Sequence, residues 1–184
     1  MSRYADDATM AELSAGVATM PADQIARIDA LLLAYPDDGR LHFLRGSILI
    51  GEKRLIEAHE SLSRAVVLEP DFSIARFQLG FFQLTSGEAD AALETWGRLD
   101  RLPDEHYLRK FVDGLRCLIR DDFAGAITTL GAGIALNQEN PPLSRDMHLI
   151  IEKCRELLIQ SGDGDDEAIS ATALMLRQFP PREH

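Results

Sequence analysis

The sequence predicts an all-α fold, an α-solenoid of antiparallel helix hairpins, and three observations carry that prediction. Gly46, Gly80 and Gly114 lie 34 residues apart, as do Ala58, Ala92 and Ala126, and again Leu62, Trp96 and Leu130. Three columns sharing one period mark stacked supersecondary units, each of which completes its apolar face only against a neighbour.

Each unit contains two helical stretches. The first pair is expected over Gly39 to Ile50 and Lys53 to Leu68, the second over Ser73 to Thr85 and Ala89 to Leu102, the third over Glu105 to Arg120 and Phe123 to Leu136. Short turns at Gly51-Glu52, Ser86-Gly87-Glu88 and Asp121-Asp122 make the paired helices antiparallel. The units close on Tyr35-Pro36-Asp37, Glu69-Pro70-Asp71 and Leu102-Pro103-Asp104: proline cannot continue a helix, and the following aspartate can cap the next one. Pro36 to Pro70 is 34 residues but Pro70 to Pro103 is 33; the gap from proline to the next glycine grows from 10 to 11, which repairs the slip before Gly114. Small residues in the glycine and alanine columns let two backbones approach, while Leu62, Trp96 or Leu130 fills the space beside them.

The flanks read as caps. Met10, Leu13, Val17 and Met20 recur at helical spacing, and Ile25, Ile28, Leu31 and Leu32 do so after a break at Pro21, so residues 7–35 form a degenerate leading hairpin. Pro141-Pro142 precedes an amphipathic stretch, residues 142–160, that carries Met147, Ile150, Ile151, Cys154, Leu157 and Leu158 and caps the array. One domain is expected over residues 1–161. Residues 162–184 are expected to be an acidic linker, Ser161-Gly162-Asp163-Gly164-Asp165-Asp166, and a last helix from Glu167 to Phe179 that the linker leaves free to move.

The units resemble tetratricopeptide repeats. The signature is a Leu-Gly pair with an aromatic nearby, then an alanine, a large apolar residue, another alanine and a closing proline. The second unit supplies Leu79-Gly80, Gly87, Ala92 and Trp96, and the first Gly46, Ala58, Leu62, Ala65 and Pro70. The third supplies Gly114, Ala126 and Leu130, with Gly133 where alanine is usual and Asn137 where proline is expected. The resemblance covers residues 39–138. It implies a right-handed superhelix whose concave face binds peptides or helices. The residues that would line this face are Phe43, Leu44, Ser47 and Ile50, then Phe77, Gln78, Phe81 and Leu84, then Phe111, Val112, Leu115 and Leu118.

Phe43, Phe77 and Phe111 are themselves 34 apart. Covering each phenylalanine is worth roughly 1.5–3 kcal/mol, and contiguous apolar surface of this kind marks contact sites. Three readings stay open: a partner groove, a face covered by the chain's own tail or a second copy, and plain core. His42, Arg76 and Lys110 stand where the family buries large residues, a departure that would rotate the faces. Repeats that hold the carboxylate tails of heat-shock chaperones use a clamp of lysine, asparagine and arginine; the matching places here are Phe43, Ser47, Gln78, Leu108 and Val112, none of them cationic. An apolar peptide or amphipathic helix is therefore the expected ligand.

Composition narrows the partner. A net charge of -11 disfavours nucleic acid and anionic lipid, which need a cationic footprint, and favours apolar or basic protein partners. No stretch of 18 apolar residues occurs, the start has no signal-like run, and Cys117 and Cys154 read as reduced thiols, so a cytoplasmic location is expected. His42, His59, His106, His148 and His184 never take a ligand spacing, and Asp163-Gly164-Asp165-Asp166-Glu167 lacks both the turn glycine and the closing acid of a calcium loop. No phosphate loop or nucleophile elbow occurs either, so neither a metal, a cofactor nor catalysis is expected. The reading is a protein-interaction module. The alternatives are a small acidic chaperone of secretion type, holding a client's apolar segment, and a self-assembling subunit, a homo-oligomer.

Overall fold

The computed structural model describes residues 4–16 and 21–162, and among them every regular element is helical. The helices are α1 (Asp7–Gly16), α2 (Pro21–Ala34), α3 (Gly39–Gly51), α4 (Leu55–Leu68), α5 (Ser73–Thr85), α6 (Ala89–Trp96), α7 (Tyr107–Ile119), α8 (Phe123–Leu136) and α9 (Pro141–Gly162), with a 3₁₀ segment, Gly97–Arg101, after α6. Consecutive helices pack together: α3 on α4 and α7 on α8 form the tightest hairpins, α2 lies on α3, and α9 lies on α8. Contacts group the chain into two compact units, Met1–Leu79 and Gly80–His184, and the division falls within α5. Val17, Met20, residues 163–166 of the expected linker and the Glu167 to Phe179 helix lie outside the described residues; Ser161 and Gly162 belong to α9 and not to a linker.

The three columns, two of small residues and one of large, do the packing expected of them. Gly46, Gly80 and Gly114 are buried, Ala58, Ala92 and Ala126 are fully buried, and so are Leu62, Trp96 and Leu130. A Cβ on Gly46 would stand 2.7 Å from the Leu62 Cγ, one on Gly114 2.6 Å from the Leu130 Cγ, and one on Gly80 2.6 Å from the Trp96 Cδ1. The glycine in the first helix of each hairpin is thus the space that the large residue of the second helix occupies.

A further column exists in the backbone alone. Among the described residues, Lys53, Gly87 and Asp121, again 34 apart, are those with positive φ, at 60°, 85° and 57°. Each sits in a hairpin turn with the same pair of hydrogen bonds. Lys53, Gly87 and Asp121 donate to Ile50, Leu84 and Leu118, and the next residues, Arg54, Glu88 and Asp122, donate to Leu49, Gln83 and Cys117. This is the Schellman closure, which satisfies carbonyls the helix end leaves over.

Three local expectations need correction. The second helix of the middle unit does not run to Leu102: α6 stops at Trp96, and Gly97, a poor helix former, opens a 3₁₀ segment whose Leu99 is still buried. The one-residue deletion lies in this stretch, and the tighter helix absorbs part of it. The caps also fall one or two residues later than the aspartates after proline. Asp38 caps α3 and His106 caps α7, because Pro36-Asp37 and the residues after Pro103 are spent in turns, closed by Asp38 N–H on Tyr35 and His106 N–H on Pro103.

Candidate functional site

The residues expected to line a binding face divide by burial. Phe77, Phe111, Val112 and Leu115 are between 0 and 1% exposed and Leu44 is 9% exposed. They are core, and their expected role as open contacts is corrected on that ground. Phe43, Ser47, Gln78 and Phe81 are half-buried, and each retains surface.

The burial of the phenylalanines follows from their neighbours in sequence. His42 and Arg76 do not enter the core: the His42 Nε2 meets the Pro36 carbonyl at 2.9 Å, and the Arg76 Nη2 donates to the Pro70 carbonyl at 2.9 Å. Each closes the proline turn six residues upstream. With Arg76 turned to the loop, Phe77 takes the inner place, whereas Phe43, after His42, stays half-buried. In the third hairpin Phe111 presses on α8, where a Cβ on Gly133 would lie 2.5 Å from its Cδ1. Gly133 supplies the space that the Phe111 ring fills. The proline-turn contacts were not foreseen; the 34-residue spacing of His42 and Arg76 was the available signal.

In the first unit the half-buried residues form a small mixed surface. Phe43 meets Phe72 edge-on, with ring centroids 5.1 Å apart. The Ser47 hydroxyl lies 2.9 Å from the Phe43 carbonyl and 3.0 Å from the Gln78 Oε1. The hydroxyl has one proton for these two acceptors, so Ser47 and the Gln78 amide form a shared polar pair. An aromatic edge, a hydroxyl and an amide from α3 and α5 therefore stand together. Phe81 lies in the second unit, with Phe111, Val112 and Leu115 of α7.

Also in the first unit, an open cleft of about 620 Å³ is lined by Tyr4, Asp6, Asp7, Tyr35, Arg40 and Glu69. Its one cation is engaged from several sides. Arg40 makes a bidentate pair with Asp38, Nε to Oδ1 at 3.0 Å and Nη2 to Oδ2 at 2.9 Å, and also reaches Asp7 and the Ala5 carbonyl. Asp38 is fully buried and accepts from the Ala5 N–H and the Arg40 N–H as well. Burial alone would raise the Asp38 carboxyl, but the hydrogen bonds from Arg40 and Ala5 and the guanidinium charge together outweigh it and hold the group below its ordinary value. The Asp38–Arg40 pair is an anchor that fastens the segment before α1 to the start of α3.

Among the described residues, no three His, Cys, Asp or Glu side chains converge to hold a metal. Burial pushes the Cys154 thiol up to about 11, and burial followed by the nearby Asp122 raises that of Cys117, so both thiols are held away from the nucleophilic thiolate. No described helix is long and apolar enough to cross a membrane. Compared with known proteins, the chain matches no family model and no curated sequence.

Proposed function

We propose that this chain is a non-catalytic protein-interaction module of the tetratricopeptide-repeat type, which takes an apolar or basic peptide segment along α3 and α5 of its first unit. The observation that carries this reading is the juxtaposition of half-buried Phe43 with the hydrogen-bonded Ser47 and Gln78. Phe43 offers an apolar anchor point, and the Gln78 amide offers a hydrogen-bonding group to a peptide backbone, the two elements a groove needs for affinity and register. The net charge of -11 favours ligands with basic flanks. Phe77 and Phe111 support the helices beneath and take no part in contact.

Selection of peptides by display against the whole chain, followed by titration calorimetry of a selected peptide, tests this. Phe43→Ala and Gln78→Ala are expected to weaken binding about tenfold each while the helical circular dichroism stays unchanged. Undiminished affinity in both folded variants refutes the assignment.

A further inference from the structure

The first turn of α7 is closed by an imidazole. His106 has extended backbone, φ -79° and ψ 129°, and its Nδ1 accepts the Leu108 N–H at 3.2 Å. Only a lone pair on Nδ1 can accept, so the capping ring is neutral and carries its proton on Nε2. A second proton would have to enter at Nδ1. It would turn the acceptor into a donor facing another donor, and would place a positive charge at the helix end where partial positive charge already accumulates. The side-chain caps of α3 and α8 are the carboxylate oxygens of Asp38 and Asp122. Of these three caps, only that of α7 is an imidazole, the side chain type whose ordinary charge change falls between pH 5 and 8.

The ring is also linked to the interior. It stacks on Tyr107, with centroids 5.0 Å apart and planes at 21°; Tyr107 meets Phe111 edge-on at 5.8 Å; and Phe111 presses on Gly133 of α8. We propose that His106 is a proton-sensitive cap, whose protonation releases the first turn of α7 and loosens the Tyr107–Phe111 packing against α8.

The surrounding charges divide. Asp104 and Glu105 stand in the preceding turn, Glu139 hydrogen-bonds Tyr107, and Arg109 and Lys110 follow along α7. The charge of Arg109 is largely met by Asp113 at 3.3 Å, Asp104 at 3.8 Å and Asp100 at 3.9 Å. Tyr107 is raised to about 12, by burial first and Glu139 second, and so remains a neutral phenol throughout. An imidazolium is attracted to its ring face, so the protonated ring can keep its stack while giving up the cap.

Amide hydrogen exchange of the whole chain at pH 7.5 and pH 5.5, corrected for intrinsic rates, tests the proposal. Protection of the Leu108 amide is expected to fall about fivefold in the natural chain. His106→Asn, which keeps a capping oxygen without titrating in this interval, is expected to hold its protection, and His106→Ala to be low at both pH values. Nitrogen shifts of the imidazole at pH 7.5 must show the proton on Nε2. An equal fall in the asparagine variant, a flat response of the natural chain, or a proton on Nδ1 at pH 7.5 would overturn the proposal; the tautomer reading holds even where a variant fails to fold.

Discussion

The Phe111 ring lies against Gly133, with Cδ1 2.5 Å and Cε1 2.7 Å from where a Cβ on that glycine would stand. The residue 68 positions before Gly133, in the first hairpin, is Ala65, and there the corresponding phenylalanine, Phe43, is only half-buried. This spacing relates Phe111 to Phe43 and Gly133 to Ala65 through two periods of 34. Gly133→Ala should therefore be destabilising despite alanine's better helix propensity. Propensity contributes about 1 kcal/mol in favour, overpacking costs about 1–3 kcal/mol, and a net loss of about 1 kcal/mol is expected in urea unfolding. Adding Phe111→Leu should reduce the penalty of the alanine, a coupling that a double-mutant cycle reads directly. A gain in stability from Gly133→Ala alone would show that the ring is free to retreat.

The positive-φ turns give a second expectation. An ordinary side chain in the left-handed region costs about 1–2 kcal/mol, part of which glycine returns through the entropy of its unfolded chain, about 0.4–1 kcal/mol. Lys53→Gly should stabilise by about 0.5–1 kcal/mol, and Asp121→Gly by less, since aspartate tolerates this conformation better. Gly87→Ala should lower stability by about 1 kcal/mol. Thermal melts of the three variants rank the turns; a destabilised Lys53→Gly would contradict the backbone reading.

The Asp38–Arg40 anchor makes an acid-side prediction. The Asp38 carboxyl is held below its ordinary value in the folded chain, so its contribution is complete above the unfolded value of about 3.9 and is lost as pH falls through the lower folded value. Asp38→Asn keeps a capping oxygen for α3 but removes the charge facing Arg40, whose side chain is 26% exposed. A loss of about 1–3 kcal/mol at pH 7 is expected, together with a shallower fall in stability below pH 4. Guanidinium titrations at several pH values check both; parallel curves for the two proteins would remove Asp38 from the acid response.

What was legible in the sequence was whatever depends on residue size at a fixed period. The bounds of α5 and α8 match the expectation residue for residue, and the glycine and alanine columns fall where backbones meet. What was not legible depends on where a polar side chain finds its partner. His42 and Arg76 look like disturbances of the pattern until their bonds to Pro36 and Pro70 are seen, and those bonds keep both polar side chains at the loop. Capping was misplaced for a related reason: an aspartate after proline signals a turn as readily as a helix start. The 3₁₀ segment after Trp96 likewise depends on Gly97 together with a missing residue, and neither alone predicts a change of helix type.

The turns at Lys53, Gly87 and Asp121 share their dihedral region and both hydrogen bonds while differing in residue type. Residues 49–54, 83–88 and 117–122 are thus, in backbone terms, one joint built three times. Such joints are transplantable: the turn of one hairpin can be exchanged for that of another without re-aiming the helices on either side. A mutation in one of them is accordingly a change to a connector of standard shape, with the helices as its interchangeable fittings.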